Sequence, residues 1–156
     1  MKKEKRETGH LTRHIGFWMR MVSNHVSYAF ARKLQAHGVT VAEWVVLREM
    51  YGHNDRTSPS HVAQLTGLSR GAVSKLISRL LEKRLATREE SAGDRRYQDI
   101  ELTKDAMALV PKLARLADEN DEAFFHILSQ LERSALTDIL KKTARLHKLT
   151  KMPIDP

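Results

Sequence analysis

The apolar pattern of the chain begins at Thr12, where large apolar residues start to recur at steps of three and four positions. This spacing lines one face of a helix and predicts a long first helix. Gly38 follows the pattern, and glycine commonly ends a helix. Residues 1–9 are charged and lack a period, so we expect a flexible basic arm there. The apolar stripe consists of Ile15, Trp18, Met19, Val22, Val26, Phe30 and Leu34.

Helix-start signals predict three shorter helices in the next stretch. The run Thr40-Val41-Ala42-Glu43 is a capping box, in which the threonine hydroxyl and the glutamate carboxylate bind free amides at a helix start. This second helix is expected to end at Gly52, and a polar loop is expected over 53–57. Ser58 followed by Pro59 opens a short third helix. A tight turn over 66–68 then precedes a fourth helix.

Ser69 is the predicted cap of that fourth helix, which has one continuous apolar face. The period changes from helical to alternating after Leu85. Two strands are predicted at 86–90 and 97–102, with turn-forming residues between them, which together make a β-hairpin. Thr103 caps a fifth helix, in which Pro111 is expected to cause a kink. A second capping box at 129–132 opens the last helix.

The charge pattern narrows the class of partner. The formal net charge is +8, and the excess cations lie in the first 20 residues, at Arg32 and Lys33, and over 70–96. Such a balance favours nucleic acid or an anionic membrane surface as partner. No apolar run approaches the roughly 18 residues of a membrane span, and no secretory signal follows the basic start. We therefore expect a cytoplasmic protein with no membrane partner.

Several kinds of active site are excluded or lack support. The chain has no cysteine, which excludes disulfides, thiol nucleophiles and cysteine zinc sites. No phosphate-binding glycine loop, nucleophile elbow or zinc-protease motif occurs. His10 and His14 are four residues apart and could share a helix face, which leaves open a regulator that responds to a metal through histidine ligands. Our expectation is no enzyme, no catalytic or metal site and no cofactor.

The fourth helix carries the main functional signal. Its apolar stripe anchors it, and its opposite face presents small and basic side chains to solvent. A helix fits the B-DNA major groove, which is about 12 Å wide, and arginine or lysine can bind guanine edges or phosphates there. Gly71 is unfavourable in a helix but allows close approach to DNA. The predicted recognition residues are Ser69, Arg70, Gly71, Ser74, Lys75 and Arg79, and the predicted DNA-backbone contacts are Ser58, Ser60 and His61.

The tip of the hairpin is the second candidate DNA contact. Arg95 and Arg96 lie on the turn next to Asp94, whose carboxylate could orient one guanidinium. Arginine is attracted to the strong negative potential of a narrow minor groove. Two short helices joined by a glycine turn and followed by such a hairpin have the order of a winged helix-turn-helix. An alternative is a winged helix used only for protein contacts, without base-specific DNA binding.

These elements predict a mainly α fold, with a three-helix core and a β-hairpin wing flanked by terminal dimerisation helices. The first and last helices carry apolar stripes outside the winged core, which a second copy of the chain could cover. A two-fold dimer would bind a pseudo-palindromic double-stranded DNA with half-sites about one turn apart. The expected interface residues are Ile15, Val22, Leu136, Ile139 and Leu140. The domains are an arm at 1–9, a dimerisation helix at 10–38, a winged DNA-binding domain at 39–104, dimerisation helices at 105–150 and a tail at 151–156.

Residues 10–150 resemble the MarR family of winged-helix regulators. The resemblance is carried by the segments 39–47 and 62–77, by the wing motif Asp94-Arg95-Arg96 and by Leu102-Thr103. It implies a homodimer built from the first and last two helices, a recognition helix starting at Ser69, and insertion of Arg95 into the minor groove. It also implies repression relieved by a small, often aromatic or phenolic, ligand. Arg84 and Ala106 depart from the family, which often has glycine at both positions.

The sequence offers one candidate pocket for such an effector. The pocket would lie between the dimerisation helices and the DNA-binding part, and it would be apolar with a single cation. That chemistry suits an aromatic acid. The same aromatic residues could equally be ordinary core. The candidate lining consists of Phe17, Trp18, Met21, Trp44 and Arg48.

Overall fold

The computed structural model describes residues 10–53, 56–90 and 98–154. A short 3-10 turn at Leu11–Arg13 precedes six helices and three strands in this part of the chain. The predicted arm at 1–9 lies outside it. The helices are α1 (Ile15–Gln35), α2 (Val41–Gly52), α3 (Pro59–Thr66), α4 (Arg70–Glu82), α5 (Lys104–Phe125) and α6 (Gln130–Leu146), and the strands are β1 (Arg56–Thr57), β2 (Ala86–Glu90) and β3 (Gln98–Leu102).

The helix starts are confirmed at the predicted caps. Thr40 and Ser129 each form both halves of a capping box with the glutamate three residues later. The hydroxyls of Ser58 and Ser69 accept backbone amide hydrogens at the starts of α3 and α4. Thr103 does the same for α5, which continues through Pro111 as a single helix. Each of these caps fixes the residue at which its helix begins.

The sheet has the strand order β1-β3-β2, and both pairings are antiparallel. The β2–β3 hairpin is confirmed, with Ala86 opposite Leu102 at its base. The predicted loop over 53–57 is wrong at Arg56 and Thr57, which form β1 and pair with Glu101 and Ile100. A strand of two residues has no period of its own, and β3 supplies its hydrogen-bonding partners.

One apolar core joins the winged part of the chain to α5. The fully buried side chains include Leu47 on α2, Val62 on α3, Ile77 on α4, Ile100 on β3 and Leu113 on α5. The core therefore holds α4 by its inner face. By contrast, α6 has no buried residue. No helix among the described residues is long and apolar enough to cross a membrane.

Candidate nucleic-acid interface

Helix α4 separates its apolar and polar residues onto opposite faces. Val73, Ile77 and Leu80 have no exposed surface, and Leu76 is 5% exposed. The six predicted recognition residues are all exposed and lie on the other side of the helix or at its start: Ser69, Arg70, Gly71, Ser74, Lys75 and Arg79. The geometry thus brings these six residues together on one outward face.

Gly67 makes the turn between α3 and α4 possible. Its φ of 68° lies in the left-handed region, which is unfavourable for residues with a side chain. The Thr66 hydroxyl, which is buried, donates to the Val62 carbonyl at 2.7 Å and accepts from the Leu68 amide at 3.4 Å. This local bonding fixes the direction in which the chain enters α4.

The three residues predicted to contact the DNA backbone lie at the start of α3. Ser58 accepts the His61 amide at 3.2 Å, while Ser60 and His61 are exposed. The His61 ring contacts His53 edge to face, with centroids 6.1 Å apart. Ser60 and His61 are therefore accessible at the amino end of the helix that precedes α4, where the partly buried Ser58 serves as the cap.

The other end of α4 is held by an ion pair between the exposed Lys83 and the buried carboxylate of Glu43, which was not predicted from the sequence. Lys83 Nζ lies 2.7 Å from Glu43 Oε2 and also donates to the Gly38 carbonyl at 2.7 Å. Burial raises the pKa of Glu43, but hydrogen bonds from Lys83 and Thr40 outweigh that effect and hold the pKa below its ordinary value. The capping box identified Glu43, whereas no sequence signal linked it to a lysine 40 positions away.

Arg84 ends α4 by its backbone, and not through a side-chain cap. Its φ is 56°, and the Leu85 amide donates to the Leu80 carbonyl at 2.9 Å. This is the bonding of a Schellman motif, in which glycine usually occupies the left-handed position. The departure from the family's glycine therefore places an arginine in a strained conformation.

The stem of the wing is described, but its tip is not. Arg56 on β1 forms ion pairs with Asp99 at 3.3 Å and with Glu89 at 3.4 Å. These ion pairs connect β1 to both strands of the hairpin and neutralise the charge of the two carboxylates. The predicted wing residues Asp94, Arg95 and Arg96 lie outside the described residues. Arg56 was missed because β1 was predicted as a loop.

The predicted effector residues do not form one cluster. Phe17 and Trp18 contact each other edge to face on α1, at 5.3 Å between centroids, and Trp18 donates to the Thr12 carbonyl. Trp44 instead packs against Phe30, at 6.2 Å. Met21 and Arg48 are exposed. Two surface hollows of about 530 and 430 Å³ are lined by residues of α5, of α6 and of the segments before and after α6, and by none of these five.

The five predicted interface residues are exposed in the single chain. Ile15 on α1 is 78% exposed and Ile139 on α6 is 61% exposed. Val22, Leu136 and Leu140 are also exposed. His10 and His14 lie on either side of the 3-10 turn, outside any helix, so they do not share a helix face. Among the described residues, no group of three metal-binding side chains occurs.

Comparison with known proteins agrees with this geometry. The sequence pattern of the MarR family matches residues 37–96. A relative from Thauera aromatica, described as a transcriptional regulatory protein for the hcr operon, is 27% identical over 138 residues. That match covers 88% of this chain and 82% of the relative.

Three solved structures are similar over most of their length. An organohalide-sensing transcriptional regulator, RdhR, bound to 2,4-dichlorophenol, has a TM-score of 0.80 at 17% identity, covering 97% of this chain and 93% of that one. BpsR of Bordetella bronchiseptica, whose DNA binding is regulated by 6-hydroxynicotinic acid, has a TM-score of 0.75 at 25% identity. The match covers 88% of this chain and 98% of BpsR. A MarR variant from E. coli complexed with operator DNA has a TM-score of 0.72 at 21% identity. The match covers 86% of this chain and 99% of the MarR variant.

Proposed function

We propose that this chain is a DNA-binding transcriptional regulator of the MarR family, whose sequence pattern matches residues 37–96, and that it is a sequence-specific repressor released by a small ligand. The observation that carries the proposal is the outward face of α4. Its inner face is fixed in the core, while Arg70, Lys75 and Arg79 are exposed on the other side. A rigid helix with this face can read base edges in the major groove.

The proposed contacts around α4 divide by role. Arg70 and Lys75 read base edges, because their side chains can donate to guanine O6 and N7. Ser58, Ser60 and His61 contact phosphates and set the register, since such contacts carry no sequence information themselves. The wing residues Arg95 and Arg96 reach the neighbouring minor groove. Arg56 supports that wing by neutralising Glu89 and Asp99 near the DNA.

The proposed assembly is a two-fold homodimer formed by α1, α5 and α6. The support is the exposed apolar surface of α1 and α6, which includes Ile15, Val22, Ile139 and Leu140. Large apolar side chains exposed along two helices mark an interface in a protein that is otherwise highly charged. A second copy that covers it would place two α4 helices to read a pseudo-palindromic duplex.

The proposed effector is a small aromatic or phenolic compound, with an aromatic acid as the favoured form. RdhR was solved with 2,4-dichlorophenol, and BpsR is regulated by 6-hydroxynicotinic acid. In this chain the partly buried Phe17 and the exposed Trp18 offer aromatic faces, and the exposed Arg48 offers a cation. Trp44 packs against Phe30 in the core, apart from Phe17 and Trp18, so the proposed contacts to the effector are those of the other four residues.

The test is selection of preferred duplexes from a random library, followed by fluorescence anisotropy at several salt concentrations. We expect a pseudo-palindromic motif and an affinity that falls steeply as salt rises. Arg70→Ala and Lys75→Ala should change the selected motif as well as the affinity, with a cost of about 1–3 kcal/mol each. Arg115→Ala on α5 is a matched control. If no motif is selected and binding does not depend on salt, the proposal is wrong, and the alternative of a winged helix used only for protein contacts replaces it.

A further inference from the structure

The segment after α6 returns to the helix-turn-helix and docks on its turn. The Met152 amide donates to the Thr66 carbonyl at 3.1 Å, which is a backbone bond between the tail and the end of α3. At Gly67, a Cβ would lie 3.1 Å from the Lys151 Cα and 3.2 Å from the Thr150 carbonyl oxygen. The missing side chain of Gly67 thus leaves the space in which the tail lies.

Apolar contacts also hold this tail. Ile154 is partly buried and packs against the core cluster, and Met152 is partly buried as well. The tail is directed there by the end of α6, where Lys148 has a φ of 52° and the Leu149 amide donates to the Ala144 carbonyl. We call residues 148–154 the C-terminal strap. It connects the last dimerisation helix to the turn that precedes α4.

The strap and the end of α6 are strongly basic. No acidic residue occurs between Asp138 and Asp155. Lys148 and Lys151, the two cations of the strap, are both exposed. The remaining cations of this block are Lys141, Lys142 and Arg145. This run of positive charge continues from α6 into the strap, which docks on the helix-turn-helix.

The docking site fixes how close this charge is to α4. Lys151 packs on Gly67, and only Leu68 separates Gly67 from Ser69, the cap of α4. Consecutive Cα atoms are 3.8 Å apart, so Lys151 is anchored within about 12 Å of the start of α4. A lysine side chain at that position extends the positive surface formed by Arg70 and Lys75.

We propose that the C-terminal strap is a second DNA-backbone site, in which Lys148 and Lys151 contact phosphates beside the bases read by α4. The inference rests on the proposed function, since it assumes that α4 binds duplex DNA. The partner follows from the chemistry, because exposed lysines next to a groove-reading helix complement the phosphate charge of B-DNA. The role of Met152 and Ile154 is to hold these lysines in place.

The test is the salt dependence of binding to the selected duplex. Each phosphate contact contributes about 0.9 to the slope of log affinity against log salt. Lys148→Gln together with Lys151→Gln removes four lysines from the homodimer and should reduce the slope by about 3.6, with the selected motif unchanged. The matched control is Lys112→Gln with Arg115→Gln on α5, which removes the same charge and should leave the slope as in wild type. An unaltered slope in the strap variant would overturn the proposal.

A second variant separates charge from placement. Deletion of 152–156 keeps both lysines but removes the amide of Met152 and the apolar anchor of Ile154. If the strap acts by holding the lysines, this deletion should also lower the slope, by about 1 or more. A wild-type slope after deletion would show that docking has no role and would contradict the proposal. Wild-type protein that binds no duplex at all would instead overturn the proposed function.

Discussion

Gly67 and Gly71 lie four residues apart and have different reasons to be glycine. Gly67 needs its left-handed φ of 68° and the space occupied by the strap. Gly71 lies in the first turn of α4, and a Cβ there would meet nothing within 4 Å. The fold therefore requires glycine at Gly67 but not at Gly71. We attribute the glycine at Gly71 to the close approach of α4 to DNA.

Gly71→Ala should consequently separate stability from binding. We expect it to raise the free energy of unfolding by about 0.5–1 kcal/mol, because alanine has less conformational freedom to lose. It should weaken duplex binding, because the methyl group occupies space that the DNA needs. Urea unfolding and anisotropy measure the two effects. Gly67→Ala should instead destabilise the protein, and tighter duplex binding by Gly71→Ala would refute the close approach.

The left-handed conformation of Arg84 can also be tested by a single substitution. Arg84→Gly should raise the free energy of unfolding by about 0.5–1 kcal/mol, since glycine adopts a positive φ without the strain of a Cβ. Arg79→Gly, in the same helix but at ordinary helical geometry, should lower it by about 1 kcal/mol. Urea titration of both variants is the measurement. Arg84 stands where MarR-family sequences often have glycine, which the sequence showed. Only its φ of 56° shows the backbone strain that the arginine brings.

At the scale of elements, the ion pair between Glu43 and Lys83 joins the start of α2 to the end of α4. Glu43 has no exposed surface, so a variant that removes its charge leaves Lys83 without its carboxylate partner. Glu43→Gln should lower the free energy of unfolding by about 1–3 kcal/mol at neutral pH. Glu132→Gln, at the exposed capping box of α6, is the matched control and should have a smaller effect.

The stabilisation by Glu43 should depend on pH in a defined direction. Its pKa is lower in the folded protein than its ordinary value of 4.5. The contribution is therefore complete above about pH 4.5 and is lost as the pH falls through the lower folded pKa. Wild type and Glu43→Gln should converge in stability over that acidic range, as followed by urea unfolding. A difference that stays constant down to pH 3 would contradict this ionic role.

Most of these elements could be predicted from local signals. The caps at Thr40, Ser58, Ser69 and Ser129 depend on a residue and its neighbours three positions away, and all four are confirmed. The two-residue strand β1 and the ion pair between Arg56 and Asp99 depend on β3, which is more than 40 positions later. Such pairings leave no local pattern, so the sequence did not show them.

At the scale of the whole molecule, α6 has no buried side chain of its own. Its apolar stripe therefore needs a partner, which we propose to be a second copy. Ile139→Asp should convert the protein to a monomer and abolish high-affinity binding, because it places a charge in that interface. Light scattering after size exclusion measures the mass, with Ser134→Asp on the opposite side of α6 as control. A dimeric Ile139→Asp variant would exclude Ile139 from the interface.

The periodicity of the terminal helices predicted an apolar face but could not show what covers it. The same holds for the effector residues, since Trp44 could be assigned to a pocket or to the core and packs against Phe30. The contact between Met152 and Thr66 joins positions 86 residues apart, and no pattern in the tail indicated it. Long-range packing of this kind decides how the helices are arranged around α4.

Hydroxyl-radical footprinting of the wild-type protein on its selected duplex tests most directly whether two copies of α4 read DNA together. We expect two protected patches on one face of the duplex, centred about 10–10.5 base pairs apart or a multiple of that spacing. Lys75→Ala should weaken both patches equally, because the two-fold axis relates them. A single protected patch, or two patches that respond differently to Lys75→Ala, would contradict the account.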